Sequence, residues 1–178
     1  MTDKVFANFL ARQWAEGRDL AEHSDILRLF PAPGLPRQQF IAEFHCRGVV
    51  QVGGRPVVQS GVYAVGIFFP SDYLRRASTP EVLTWLGPGN VHHPNIHGRA
   101  GAICIGRLVP GLSLVDMIYQ VFEIIVYRKF NPREFDSLDP RACSWARRNH
   151  GLFPTDPRPL RRPGAWAAMI PAREGTAS

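Results

Sequence analysis

The stretch of the sequence best suited to chemistry runs from residue 92 to residue 108 and reads HHPNIHGRAGAICIGRL. A His-Pro-Asn turn, His93 to Asn95, precedes a lone cysteine, Cys104, with glycines between and after them. Pro94 restricts the residue before it to extended conformations, and asparagine orders such loops through hydrogen bonds. A cysteine thiolate is a nucleophile, whereas a buried and inert thiol is the commoner role of this residue type. The residues alone leave both roles open.

Two other kinds of site use the same residue types. The candidate zinc ligands are His92, His93, His97 and Cys104. Adjacent histidines point apart, however, and the sequence has no Cys-x-x-Cys pair. A papain-like hydrolase needs a cysteine, a histidine and an asparagine, but the signature around its nucleophile is missing here. We therefore expect neither a metal nor a cofactor.

The composition is that of an ordinary globular chain. Of the 178 residues, 45% are hydrophobic and 20% are charged, and no apolar run is long enough to span a membrane. The N-terminus mixes acidic with basic residues and lacks the pattern of a signal peptide. Three widely spaced cysteines indicate reduced thiols, which predicts a cytoplasmic protein. Two of them, Cys46 and Cys143, are expected to lie in the core.

The net charge of +6 comes almost entirely from arginine, because lysine occurs only at Lys4 and Lys129. A GC-rich genome explains this most simply, although a protein that handles activated acyl groups would also gain from having few amines. The arginines are scattered, so nucleic-acid binding is not expected. The densest group is predicted to form a solvated basic face, with contact to an acidic partner or to nucleic acid as the alternative. It consists of Arg147, Arg148, Arg158, Arg161 and Arg162.

The periodicity of the first half predicts helices followed by antiparallel strands. Apolar spacing predicts an amphipathic helix over residues 5–14 and a second helical stretch over 20–30. Alternation over 40–50 indicates a half-buried strand. Residues 57–70 are expected to form two strands broken near Ser60 and Gly61, and residues 80–86 a short fourth strand.

The second half is predicted to be helical. Ser113 with Asp116 resembles a capping box at the start of a buried helix, and Asp139 before Pro140 is typical of the start of a short one. Prolines from residue 151 onward predict an extended tail. We therefore expect an α+β fold: an N-terminal helix, a four-stranded antiparallel meander sheet, an irregular cysteine-bearing loop and C-terminal helices. Residues 1–150 would form the catalytic domain and residues 151–178 a Pro/Arg-rich tail.

A series of motifs in this order resembles the ubiquitin-conjugating enzyme family. The motifs are FFPSDYL, HHPNI, GAICIG, LVPGLSL and FNPREFDSLDP, and the resemblance covers residues 5–150. It implies that fold and an enzyme that accepts a ubiquitin-like protein from an activating enzyme as a thioester and transfers it to an amine. Departures from the family pattern, such as Tyr73-Leu74 where Tyr-Pro is usual, indicate a divergent, bacterial-type member of an antiviral-type conjugation pathway.

The resemblance also implies roles for individual residues. Cys104 would form the thioester, and Asn95 would support the oxyanion or hold the cysteine loop in shape. Asp136 would position the incoming amine and help to deprotonate it, and His93 would bond within the turn. The helix around Lys4–Trp14 would bind the activating enzyme, and the acceptor would belong to a target protein. The alternative is an inactive module of the same fold that only binds a ubiquitin-like protein.

Overall fold

The computed structural model of the chain describes residues 4–32 and 38–163. Its helices are α1 (Lys4–Glu22), the single turn α2 (Thr79–Val82), α3 (Leu114–Ile125) and α4 (Pro140–Arg148). Its strands are β1 (Leu27–Pro31), β2 (Gln39–Val52), β3 (Arg55–Phe68), β4 (Leu83–Gly87), β5 (Ile96–His97) and β6 (Ala102–Ile103). Short 3₁₀ turns occupy Gly98–Ala100, Glu134–Asp136 and His150–Leu152. None of the helices in these ranges is long and apolar enough to cross a membrane.

Strands β1 to β4 form one antiparallel sheet in sequence order, and helices follow it, which confirms the predicted α+β class. The inner face of β2 carries Phe40, Ala42, Phe44 and Cys46, all almost fully buried. Helices α1 and α3 contact each other and pack on β1 and β2 respectively, so the core lies between this face and the two helices. Gln13 joins them because its buried Oε1 accepts the N–H of Leu114 at 2.6 Å. The alternation of β2 therefore predicted its buried face correctly.

The predicted helix over 20–30 is wrong beyond Glu22. The side-chain oxygen of Ser24 accepts the N–H groups of Ile26 and Leu27, which turns the chain out of the helix. Residues from Leu27 onward then pair with β2 as strand β1. Pairing with a neighbouring strand thus outweighs the helical spacing of the apolar residues. The predicted helix over 5–14, by contrast, is confirmed and extends to Glu22.

The predicted break near Ser60 and Gly61 is also wrong. Strand β3 runs without interruption, with Ser60 opposite Arg47 and Gly61 opposite Cys46 on β2. The long partner strand continues the ladder past the glycine, so no turn forms. The sheet has four strands as predicted, but β1 takes the place of one half of the divided strand.

Both predicted helix starts in the second half are confirmed. Ser113 caps α3 by accepting the N–H of Asp116, and Asp139 caps α4 by accepting the N–H groups of Arg141 and Ala142. Helix α3 is buried over most of its circumference, as its composition predicts. The two caps fix the N-terminal ends of α3 and α4, the helices that precede and follow the Asn131–Asp136 segment.

The C-terminal segment packs against the domain as far as it is described, to residue 163. Leu160 is 2% exposed and belongs to the main core. The arginines predicted to form one basic face differ in their surroundings. Four of the five form ion pairs, with Glu134, Asp156, Asp19 and Asp25. Arg148 has no carboxylate partner among the described residues. The predicted tail beyond residue 163 lies outside them.

Candidate active site

Cys104 follows a short hairpin directly. Strands β5 and β6 pair Ile96 with Ile103, and a 3₁₀ turn connects them. Gly101 ends that turn at a φ of +66°, a left-handed conformation that favours glycine, and its carbonyl accepts the N–H of Trp85 on β4 at 2.7 Å. The segment predicted to be irregular thus holds a small hairpin that is fixed to the main sheet.

Cys104 is the cysteine that solvent reaches. It is half-buried, whereas Cys46 and Cys143 are fully buried, as predicted for those two. Burial, with a smaller effect of Asp156, raises the pKa of the Cys46 thiol to about 12. Burial also raises the pKa of Cys143, whose Sγ donates to the carbonyl of Asn131 at 3.4 Å. Cys104 is therefore the thiol available to a reaction partner.

Asn95 holds the backbone of Cys104 at two points. The Cys104 N–H donates to the Asn95 carbonyl, and the Asn95 Nδ2 donates to the Cys104 carbonyl, both at 2.8 Å. Asn95 Oδ1 in turn accepts the N–H of Asn131 at 2.7 Å. The side chain is only 7% exposed. Of its two expected roles, holding the cysteine loop is therefore visible in the geometry, and one Nδ2 hydrogen remains for a further acceptor.

His93 lies inside the turn, as predicted. Its Nδ1 accepts the N–H of Asn95 at 3.0 Å, so the neutral ring carries its hydrogen on Nε2. That Nε2 is buried without a hydrogen-bond partner among the described residues, and the ring packs edge-on against Tyr127. Burial, assisted by His92, lowers the pKa of His93 to about 3. The imidazole is therefore a fixed neutral support of the turn.

The neighbouring histidines, His92 and His97, form hydrogen bonds with groups other than Cys104. Gln51 Nε2 donates to His92 Nδ1 at 2.9 Å, and burial lowers the pKa of His92 although Asp139 opposes the shift. His97 Nδ1 accepts the N–H of Ala100. Within residues 4–32 and 38–163 no three His, Cys, Asp or Glu side chains are grouped to hold a metal ion. In the same ranges no histidine forms a hydrogen bond with Cys104.

Asp136 lies on the exposed 3₁₀ turn Glu134–Asp136, in a segment that is anchored to the His-Pro-Asn turn. Leu138, two residues on, donates its N–H to the Pro94 carbonyl at 2.8 Å, and Asn131, five residues before, donates to Asn95. The Asp136 carboxylate forms no ion pair with any described residue. The structure thus ties the Asp136 segment to the Cys104 loop through the turn but shows no direct bond between the two residues.

Three further residues support the site and were not identified from the sequence. Asn131 donates to Asn95, and its place in the FNPREFDSLDP motif was the available signal. Lys129 Nζ donates to the carbonyl of Ile105 at 2.9 Å, which places a positive charge beside the residue after Cys104. Tyr127, at a φ of +58°, donates its hydroxyl to the His92 carbonyl. No sequence pattern indicates the role of Tyr127.

A small groove of about 440 Å³ lies between helix α1 and the turn that follows β3. It is lined by Val5, Asn8, Phe9, Arg12 and Leu74. Val5 is 66% exposed, and most of the lining surface is apolar. Four of its five lining residues fall within the range Lys4–Trp14, where the docking surface was expected.

No protein-family model matches the chain, and no curated protein matches it either. The resemblance drawn from the sequence motifs therefore stays a prediction.

Proposed function

We propose that this protein is a conjugating enzyme for a ubiquitin-like protein, with the fold of the ubiquitin-conjugating family. Cys104 would carry the ubiquitin-like protein as a thioester and pass it to an amine of a target protein. The pathway would be bacterial and of the antiviral-defence type. The observation that carries the proposal is a solvent-accessible cysteine whose backbone N–H and carbonyl are both bonded to the Asn of a His-Pro-Asn turn.

The first step would be transfer of the thioester. The Cys104 thiolate attacks the carbonyl carbon of the thioester on the activating enzyme, and the cysteine of that enzyme leaves as a thiolate. No strong base is needed, because binding of the two proteins brings the reacting groups together and proximity lowers the barrier. Fixing of the Cys104 backbone by Asn95 limits the positions that the thiol can take.

The second step would be aminolysis. A neutral amine attacks the thioester on Cys104, an amide bond forms, and the Cys104 thiolate leaves while the amine loses a proton. The Asp136 carboxylate, exposed and without an ion pair among the described residues, is suited to hold that amine. The second Nδ2 hydrogen of Asn95 is suited to the oxyanion, and such donors contribute about 3 kcal/mol to transition-state stabilisation.

The activating enzyme would bind at the groove on α1. Its apolar lining and the adjacent Arg12 offer the mixture of apolar contact and charge that is common in protein interfaces. Lys4 and Lys129 are the only side-chain amines in the chain, so few sites compete with the target for the thioester.

The direct test is a charging assay. The protein is mixed with ATP and with any ubiquitin-like and activating proteins found to be encoded beside its gene, and the products are separated on non-reducing gels. We expect an adduct that reductant removes, that persists in Cys46→Ala and Cys143→Ala, and that is absent in Cys104→Ala. Cys104→Ser should give an oxyester that resists reductant. Charging of Cys104→Ala would overturn the proposal.

The role of Asp136 is tested separately, on preformed thioester mixed with free lysine. Asp136→Asn should charge normally but discharge to lysine more slowly, since only the second step uses the carboxylate. Glu81→Gln, which removes another exposed carboxylate, is the matched control and should discharge at the normal rate. If the ubiquitin-like protein binds but no adduct forms with any variant, the chain is the inactive binding module.

A further inference from the structure

A second and larger cavity lies next to the His-Pro-Asn turn, and we call it the rear cleft. It measures about 1010 Å³ and is bounded by the end of the β2–β3 hairpin, the β5–β6 hairpin and helix α4. Its lining includes His92 and Ile96, the residues that flank the turn, but not Cys104. The size is at the upper end of the range for ligand sites, larger than a single small ion requires.

Three arginines line the rear cleft, and none is neutralised. Arg99, Arg141 and Arg148 are exposed, and none has a carboxylate within ion-pairing distance among the described residues. The one carboxylate in the lining belongs to Asp139, which already accepts two backbone N–H groups at the start of α4. Arg147, Arg158, Arg161 and Arg162 form ion pairs within the domain. Arg28, Arg47 and Arg75 are exposed and also lack an ion pair with any described residue, but they lie outside the lining of the cleft, where Arg99, Arg141 and Arg148 come together.

The surface between the arginines is partly apolar. Val91 and Ile96 are buried in the wall, and Leu138 and Trp145 lie beside them. A ligand that fits must therefore combine negative charge with apolar groups. Guanidinium groups bind carboxylates through paired, charge-assisted hydrogen bonds, so Asp and Glu side chains satisfy the first requirement.

A nucleotide base fits the lining less well than a peptide does. The Trp145 ring is already packed against the rings of His92, Tyr127 and Phe153, at centroid distances of 5.8, 5.7 and 6.2 Å. Binding of single-stranded nucleic acid relies on aromatic faces that are open for stacking. The chain's own residues 164–178 are a poor charge match for the three arginines of the cleft, because the negative charge of Glu174 is balanced by Arg173.

We propose that the rear cleft binds an acidic segment of a partner protein, an extended stretch in which Asp or Glu alternates with apolar residues. The three arginines would hold the carboxylates, and the half-buried side chains of Leu138 and Trp145 would contact the apolar side chains. This surface is separate from Cys104 and from the groove on α1, so the inference does not depend on the chemistry at Cys104. Because the lining includes both neighbours of the His-Pro-Asn turn, a bound segment would lie against the element that holds the Cys104 loop.

The test uses the full chain and a library of short random peptides displayed on phage. Selected peptides are synthesised with a fluorescent label, and binding is measured by anisotropy at low and high salt. We expect selected sequences rich in Asp and Glu between apolar residues, and affinity that falls as salt is added. Loss of three charge-assisted contacts in the triple variant Arg99→Gln, Arg141→Gln, Arg148→Gln should weaken binding by about tenfold or more.

The matched control removes three other exposed arginines, in the variant Arg28→Gln, Arg47→Gln, Arg75→Gln, and should change the affinity less than about twofold. Thermal melting of both triple variants checks that they fold. If the rear-cleft triple variant does not fold, the binding measurement is made on its three single variants instead. An equal loss in both triples, or selected peptides without acidic residues, would overturn the proposal. ATP or a short single-stranded oligonucleotide that binds more tightly and is lost in the rear-cleft variant would also overturn it, in favour of a nucleotide site.

Discussion

Replacement of Asn95 by alanine should loosen the loop that carries Cys104. The change removes the Nδ2 donor to the Cys104 carbonyl and the Oδ1 acceptor for the Asn131 N–H, at 2.8 and 2.7 Å in the native protein. The backbone bond from the Cys104 N–H to residue 95 remains. The loop therefore loses its link to the Asn131 segment while it keeps one contact with the turn.

The expected loss of stability follows from the burial of these groups. A hydrogen bond contributes about 1 kcal/mol to the free energy of unfolding, and a buried group left without a partner costs about 1–3 kcal/mol. Both bonds of Asn95 are partly buried, so water can replace part of each. We expect Asn95→Ala to lower the free energy of unfolding by about 2–4 kcal/mol. Asn95→Asp keeps the acceptor and loses the donor, so this variant should also show much of the decrease in the free energy of unfolding.

Urea unfolding followed by circular dichroism measures this difference. The comparison is valid if the variants share the same slope of unfolding free energy against urea concentration. Asn90→Ala is the matched control, because the exposed Asn90 amide makes a single hydrogen bond, to the Gln51 carbonyl. Asn90→Ala should lower the free energy of unfolding by less than about 1 kcal/mol. The rate at which iodoacetamide modifies Cys104 should change in Asn95→Ala and stay constant in Asn90→Ala. Equal stability losses in the two variants would refute the role assigned to Asn95.

Three further predictions concern the thiols, a histidine and the C-terminal segment. Iodoacetamide should modify Cys104 in the native protein and the two buried cysteines only in urea, as read by mass spectrometry; native labelling of all three would contradict their burial. The pKa of His93 is lowered to about 3 from 6.5, so its contribution to stability is present above pH 6.5 and is lost as the pH falls toward 3, by up to about 1.4 kcal/mol per pH unit. His93→Gln should flatten that dependence in urea titrations, and an unchanged slope would exclude the histidine as its source. Leu160→Ala should cost about 2–4 kcal/mol in the same assay. Leu152→Ala, at a 58% exposed leucine of the same segment, should cost little, and similar losses for both would mean that the segment does not pack as described.

Features with a local physical cause could be predicted from the sequence. A cap needs one side chain and the N–H groups two or three residues on, so Ser113 and Asp139 marked the starts of α3 and α4. The burial of Cys46 followed from its place in an alternating strand. In each case the contact and the pattern that predicts it occupy the same short stretch.

Features decided by distant partners could not be predicted in this way. Strand β1 has helical spacing and becomes a strand because β2 pairs with it. Gly61 does not break β3, because the ladder with β2 continues across it. The bond between Asn95 and Asn131 joins residues that are 36 positions apart, and the Lys129 contact with Ile105 spans 24. Such contacts depend on the packing of α3 against the sheet, which local spacing does not encode.

The hydrogen bonds of the histidines near Cys104 bear on whether the proposed thioester would be hydrolysed. A cysteine hydrolase pairs its thiol with a histidine that acts as a general base, and the same base activates water to release the acyl group. Here His93 is buried with Nδ1 occupied, His92 is held by Gln51, and His97 bonds to its own turn. Within the described residues, none of them reaches Cys104 through a hydrogen bond. In the proposed reaction, a thioester on this cysteine would have no hydrogen-bonded histidine to activate water. The Nδ1 atoms of all three histidines are bonded to backbone N–H groups or to Gln51, and this agrees with the proposed transfer to an amine better than with a hydrolase that uses histidine as its base.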